Sequence, residues 1–213
     1  METIKNNMDK YQAYKTQIAK YNRAIEEGFY YEATLISYAI MEDRMLAFLD
    51  KIGFVNITTT PKKVELSTTE AVRPFLRSLV GEKNIDVRNI SAKRRLIASI
   101  ITMRYEEAEQ YEKDYAAKQK TSNMNGYLQE LYMDIDESGI DREETLEILT
   151  KIADWCDRRN SLIHSMLNIK TGDTFDDEVE TLAKESVILW RFLDNKLVVK
   201  LNNCKLREKY SIV

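Results

Sequence analysis

The chain has 213 residues and a mass of 24.9 kDa, which is enough for one domain with a sizeable core. Hydrophobic residues make up 44% and charged residues 31%, a balance typical of a soluble globular protein rather than a disordered one. The formal charge of -3 argues against a protein that coats nucleic acid with its whole surface, although local basic patches remain compatible with it. Two cysteines without a CxxC pair, and no apolar export segment or membrane span, predict a reduced, cytoplasmic protein.

Only six glycines and two prolines occur, which favours long helices over sheets joined by tight turns. Apolar residues recur with the period of an α-helix along most of the chain. The predicted helices cover residues 2–27, 29–51, 68–80, 86–120 (one helix or two end to end), 124–137, 141–168 and 176–200. A Ser/Thr-rich stretch at 56–70 predicts a loop with one short extended piece. We therefore predict an all-α, multi-helix bundle with long helices. It is expected to be one domain over residues 1–213, in which the helix at 2–27 packs on a core of roughly residues 29–200.

Local signals set some of the helix ends. Gly28 and Gly139 are each expected to stop a helix, because glycine readily takes the left-handed conformation that ends helices. Asp141, followed three residues later by Glu144, is expected to cap the start of the next helix.

Two helices carry predicted packing faces. On the helix at 29–51 the apolar stripe consists of Leu35, Tyr38, Ala39, Met45, Leu46 and Leu49. On the helix at 141–168 it consists of Leu146, Leu149, Ile152, Ala153, Cys156, Ile163 and Leu167. Arg159, Asn160 and His164 are expected to interrupt this second stripe. Burying such groups unpaired costs about 1–3 kcal/mol each, and more for a charge, so the stripe should open there onto a cleft, a ligand or a second subunit.

The interrupting residues belong to the stretch RNSLIH, which contains the one histidine of the chain. This stretch resembles the signature of the HEPN superfamily: an arginine, a polar residue that is often asparagine, three to five further positions and a histidine. HEPN proteins are helical bundles, commonly homodimeric, and many are endoribonucleases that need no metal. The resemblance implies that Arg159 and His164 form the active pair, with Asn160 beside them. It also implies an acidic residue on an early helix, for which SYAIMEDRMLAFL offers Glu42 or Asp43.

These side chains suit the chemistry of RNA cleavage. The reaction needs a base for the 2′-hydroxyl, an acid for the 5′-leaving oxygen and positive charge on the phosphorane. Imidazole can fill both proton roles near neutrality, and arginine is a permanent, forked donor to phosphate oxygens. One chain has a single imidazole, and Arg159 and His164 lie about 140° apart on a regular helix. We therefore expect a composite site in a homodimer, because a twofold axis brings the same patch of two chains together. No cofactor and no metal are expected.

Further basic residues are candidates for substrate binding. Arg158 and Lys151 are expected to contact phosphates of the RNA. A wider groove could also include Arg88, Lys93, Arg94 and Arg95, although charge runs are more often solvated helix faces.

The resemblance implies a role as a toxin or in defence against phage, with an antitoxin or regulatory protein as partner. Two alternatives remain open. One is a non-catalytic HEPN-like module that binds RNA, a nucleotide or a protein. The other is a structural bundle whose motif is accidental, with Arg159 and Asn160 satisfied by Asp154 or Asp157.

Overall fold

The computed structural model describes residues 7–57, 64–65, 87, 89–118, 126–165 and 173–210. The helices within them are α1 (Asn7–Glu26), α2 (Tyr30–Lys51), α3 (Ile90–Thr102), α4 (Tyr105–Lys118), α5 (Tyr127–Glu137), α6 (Arg142–Ser165), α7 (Asp173–Phe192) and α8 (Leu206–Lys209). A π-helical turn, Leu193–Val198, continues α7. Two short strands, β1 (Asn56–Ile57) and β2 (Val64–Glu65), pair antiparallel. The predicted all-α, multi-helix bundle is confirmed. The helix predicted at 68–80 lies outside the described residues, as do residues 2–6 and 166–168 of other predicted helices.

The predicted stop at the end of α1 is confirmed at Gly28. Gly28 has a φ of 75°, in the left-handed region. Its N–H donates to the Ile25 carbonyl at 3.2 Å, and the Phe29 N–H donates to the Ala24 carbonyl at 2.7 Å. These two bonds satisfy carbonyls that the helix end would otherwise leave free, and they turn the chain directly into α2.

α2 is the central helix, packed against α1, α3, α7 and the π-helical turn. Its buried face consists of Ala33, Thr34, Ser37, Ile40, Met41, Met45, Phe48 and Leu49. This face is rotated by about 100° from the predicted stripe, which is wrong at Leu35 and Ala39, because both are exposed. The reason is that hydroxyls take part in the packing. Ser37 and Ser186 of α7 share a buried hydrogen bond of 2.7 Å, so a polar position faces the core at little cost.

The stretch predicted as one helix or two at 86–120 forms two, α3 and α4. Asn89 caps α3 by accepting a hydrogen bond from the Ala92 N–H at 2.8 Å. α3 ends at Thr102, and the next residue, Met103, has an extended backbone (φ -56°, ψ 133°) and a buried side chain. Burial of Met103 therefore favours the break over one continuous helix.

The α5–α6 connection follows the sequence signals closely. Gly139 has a φ of 67°, and the Asp141 carboxylate accepts a hydrogen bond from the Glu144 N–H at 2.9 Å. Both predicted boundaries are confirmed.

α6 packs between α3 and α7. The indole N–H of Trp155 donates to the Leu182 carbonyl of α7 at 2.9 Å, and the Tyr21 hydroxyl of α1 donates to the next carbonyl, Ala183, at 2.8 Å. The Trp155 bond fixes the rotation of α6 about its axis, and with it the directions of the side chains in its last turns, while the Tyr21 bond joins α1 to α7.

Candidate functional site

Arg159 lies on the packing face of α6. The buried residues of that helix are Thr145, Ile148, Leu149, Ile152, Trp155, Cys156 and Leu162. On a regular helix the direction of Arg159 falls in the middle of their arc. The side chain is half-buried, and its Cζ lies 4.5 Å from the ring centre of Tyr38 on α2. Nη1 donates to Oδ1 of Asn160 at 3.1 Å, while the buried Nε has no hydrogen-bond partner within the described part of the chain. Arg159 is therefore a cation at a core position, held by an aromatic ring.

The expectation that all three motif residues interrupt the packing face is wrong for Asn160 and His164, because both are exposed. They lie about 100° and 140° from Arg159 around α6, outside the buried arc. The predicted stripe also lacks three apolar residues that are buried, namely Ile148, Trp155 and Leu162, as well as the buried Thr145. Its member Leu167 lies outside the described residues. The bond from Trp155 to α7 sets the true direction of the face, and the periodicity of aliphatic residues did not reveal it.

Tyr38 forms the surface against which the Arg159 guanidinium packs. Burial raises the pKa of the Tyr38 hydroxyl, the Glu42 carboxylate raises it further, and the charge of Arg159 acts in the opposite direction. The hydroxyl is therefore neutral at physiological pH. A neutral phenol offers its electron-rich face to the cation, the arrangement of a cation–π contact.

Glu42, and not Asp43, is the acidic residue of α2 that lies near the motif. Its charge acts on Tyr38, and its Oε1 accepts a hydrogen bond of 2.7 Å from Nζ of Lys93 on α3. Lys93 is only 3% exposed and Glu42 is half-buried, so this pair joins α2 to α3 at a partly buried position. Asp43 pairs with Arg44 on another side of α2. The structure thus distinguishes two residues that the sequence left equivalent.

Cys156 is buried one turn before Asn160. Burial raises the pKa of its thiol to about 11, with Asp157 and Glu42 adding to the rise and Arg159 and Arg94 opposing it. The thiol is protonated at neutral pH, and the nucleophilic thiolate is therefore scarce.

Arg158 and Lys151, the predicted substrate contacts, lie on the side of α6 that faces α7. Arg158 pairs with Glu185 at 2.7 Å and Lys151 with Glu147 at 2.6 Å. Together they border a groove of about 320 Å³, whose other lining residues are Ile148, Asp154, Trp155, Glu185, Ile188 and Leu189. A phosphate at either cation would have to compete with a carboxylate that is already bound.

Sequence reasoning did not connect Tyr38 or Lys93 with Arg159. One signal was present, since Tyr38 and Glu42 are four residues apart and so share one side of α2. The approach of Tyr38 and Glu42 to Arg159, however, depends on how α2, α3 and α6 pack together. The spacing of residues along the sequence does not reveal this packing.

None of the helices in the described ranges combines the length and apolarity needed to cross a membrane. Within those ranges no three His, Cys, Asp or Glu side chains converge as ligands for a metal ion. Comparison of the chain with known protein families, with curated proteins and with solved structures gives no significant match. The assignment of a function therefore depends on the residues around Arg159.

Proposed function

We propose that the chain is an endoribonuclease of the HEPN type that acts as a homodimer in the cytoplasm and needs no metal. Arg159 stabilises the phosphorane, His164 transfers protons and Asn160 orients a phosphate oxygen or the imidazole. The resemblance to the HEPN signature also suggests a toxin or antiphage role, with an antitoxin or regulatory protein as partner.

The observation that carries this proposal is the environment of Arg159. A purely structural arginine on a packing face is expected to bind a carboxylate, here Asp154 or Asp157. As far as the chain is described, Arg159 forms no ion pair; its contacts are Tyr38 and Asn160. A half-buried guanidinium with an unused N–H favours an anion as its partner.

Cleavage then follows without an external nucleophile. One imidazole removes the proton of the ribose 2′-hydroxyl, whose oxygen attacks the adjacent phosphorus. A second imidazole protonates the departing 5′-oxygen. The products are a 2′,3′-cyclic phosphate and a 5′-hydroxyl, and Arg159 binds the non-bridging oxygens as their charge increases. Because each chain has one histidine, the second imidazole is His164 of the partner subunit.

The test is cleavage of a mixture of single-stranded and structured RNA in EDTA. We expect the wild-type protein to cleave RNA but not DNA, which lacks the 2′-hydroxyl. Arg159→Ala and His164→Ala should each lose about 100-fold or more of the rate. Arg23→Ala is the matched control, since Arg23 is a surface arginine paired with Glu27 on α1. Absence of cleavage by the wild-type protein, or full activity in either site variant, would refute the proposal.

The composite site has its own test. Sedimentation at micromolar concentration should give a dimer. If both imidazoles act in one cleft, an equal mixture of wild-type and His164→Ala chains should keep about a quarter of the wild-type activity after subunit exchange, since only wild-type pairs are complete. Retention of about half would mean that each chain acts alone.

The alternative is a non-catalytic HEPN-like module, favoured by a different observation. Arg159 points into the packing face, whereas His164 is exposed about 140° away on the same helix. A chain that never dimerises through this surface would bind a phosphate at Arg159 without an acid or base beside it. Binding of RNA that depends on Arg159, with no cleavage and no effect of His164→Ala, would identify the module.

A further inference from the structure

The groove of about 320 Å³ between α6 and α7 has an apolar floor. The floor consists of three side chains that are each at most 7% exposed, namely Ile148, Trp155 and Leu189. Ile188 lies on the α7 side and is 65% exposed, more than any other large hydrophobic side chain that the structure describes. An exposed aliphatic side chain beside an apolar groove extends the apolar surface, and contiguous apolar surface of this kind marks sites where proteins associate.

The charged side chains along the groove are two cations and two carboxylates, namely Lys151, Arg158, Asp154 and Glu185. Arg158 pairs with Glu185 of α7, and Lys151 pairs with Glu147. Asp154 is exposed and forms no ion pair with any residue that the structure describes. An RNA strand carries only negative charge, so both carboxylates of the groove would repel it. A partner that carries both signs can place an opposite charge beside each one.

A second copy of the chain is a partner with this property. An isologous interface joins a surface patch to itself, so the patch must attract its own copy. A groove lined by charges of one sign would repel its copy, whereas two cations and two carboxylates can pair across a twofold axis. The volume of about 320 Å³ lies near the lower end of the range for ligand pockets, about 300–1,000 Å³, and is enough for a few side chains of the second copy.

We propose that two copies of the chain associate through the α6–α7 groove, with Ile188 of each copy packed on the groove of the other and Asp154 paired with a cation of the other. That a homodimer forms at all rests on the proposed function; the choice of this surface rests on the groove. His164 follows Arg158 by six residues, about 9 Å along α6. The interface therefore adjoins the residues of the proposed composite site.

The apolar part of the interface is tested by sedimentation equilibrium, which gives the dissociation constant of the dimer. Ile188→Asp should raise this constant about 10-fold or more, because it places a charge on the apolar contact. Met133→Asp is the matched control, since Met133 is 48% exposed on α5 and does not line the groove. It should change the constant about twofold or less. A wild-type monomer at micromolar concentration, or equal effects of the two variants, would overturn the proposal. Circular dichroism checks that each variant folds.

The charge balance of the groove is tested by reversing one charge at a time. Asp154→Lys leaves three cations and one carboxylate along the groove, and Lys151→Glu leaves one cation and three carboxylates. Both positions are exposed, so both variants should fold. Each variant alone should dissociate about 10-fold more readily than the wild type or worse, because its groove repels its own copy. An equal mixture of the two should associate with nearly wild-type affinity. A mixture that associates no better than the separate variants would overturn the proposal.

The two proposals fail separately. RNA cleavage by a dimer that persists in Ile188→Asp would refute the groove as the interface and leave the nuclease. A wild-type dimer that does not cleave RNA, and that dissociates in Ile188→Asp, would refute the nuclease and leave the groove. A wild-type monomer that cleaves RNA would refute the groove and the composite site together.

Discussion

Arg159 occupies a position where a packed helix ordinarily carries an aliphatic side chain. A buried N–H without a partner costs about 1–3 kcal/mol, and a cation–π contact returns about 0.5–2 kcal/mol. An ion pair between Arg159 and an adjacent carboxylate would stabilise the folded chain more directly. Unfavourable groups of this kind concentrate at sites that bind or react, because selection for function maintains them there.

The contribution of Tyr38 can be isolated by comparing two variants that both lack its hydroxyl. Tyr38→Phe keeps the aromatic face and Tyr38→Leu removes it. We expect the free energy of unfolding of Tyr38→Leu to be about 1 kcal/mol below that of Tyr38→Phe, in urea denaturation. RNA cleavage or binding should fall in Tyr38→Leu and stay near wild type in Tyr38→Phe. Equal stability of the two variants would show that the ring does not hold Arg159.

The Cys156 thiol should be unreactive in the native protein. With a pKa of about 11, its thiolate fraction at pH 8 is about one in a thousand. In a Cys204→Ser background, iodoacetamide should label the native protein at least about 100-fold more slowly than the chain unfolded in guanidinium chloride. Labelling at similar rates in both states would mean that the thiol is neither buried nor protonated as described.

At the scale of the secondary-structure elements, the ends of the helices were more predictable than their faces. Gly28, Gly139 and Asp141 act within a few residues of themselves, so their effect is readable from the sequence. The faces of α2 and α6 depend on partners that are distant in sequence, such as Ser186 for Ser37. Consequently the buried face of α2 is rotated from the predicted apolar stripe, although the predicted bounds of the helix are nearly correct.

The cap of α3 provides a test at this scale. Asn89→Ala removes the hydrogen bond to the Ala92 N–H and should lower the free energy of unfolding by about 1 kcal/mol. Asn89→Asp keeps an acceptor and should stay close to wild type. Amide hydrogen exchange in the first turn of α3 should accelerate in the alanine variant alone, because only that variant loses the capping acceptor. Equal exchange in both variants would show that the cap does not order this turn.

At the scale of the whole molecule, tyrosine hydroxyls are built into the contacts between helices. Tyr127 is fully buried, and its hydroxyl donates to the Ile52 carbonyl at the end of α2. Burial raises its pKa well above the usual 10.0, and burial likewise raises the pKa values of Tyr14 and Tyr210. The bundle therefore binds protons that the unfolded chain releases in alkaline solution.

The sign of the resulting pH dependence follows from the raised values. The stability that these tyrosines contribute is fully present below their unfolded pKa of about 10. It is lost as the pH rises beyond that value towards their higher pKa values in the folded protein. The free energy of unfolding in urea should be flat from pH 7 to about 8. It should begin to fall near pH 9, where the unfolded chain releases the proton of the Cys156 thiol, and fall steeply by pH 11 as the tyrosines add to the loss. Tyr127→Phe should be less stable at neutral pH, because the Ile52 carbonyl loses its donor, but should show a shallower alkaline decline. A decline as steep as that of the wild type would mean that Tyr127 does not contribute to it.

The sequence by itself determined the all-α class, most helix bounds and the choice of Arg159 as a residue out of place on a packing face. Periodicity, glycine stops and caps are local, so one chain read alone reveals them. Only the tertiary structure decided that Arg159 packs on Tyr38, that Glu42 rather than Asp43 lies near it, and that Asn160 and His164 are exposed. These outcomes depend on how α2, α3 and α6 are rotated against one another. That rotation is set by a few buried hydrogen bonds and ion pairs between distant residues, such as Trp155 with Leu182 and Lys93 with Glu42.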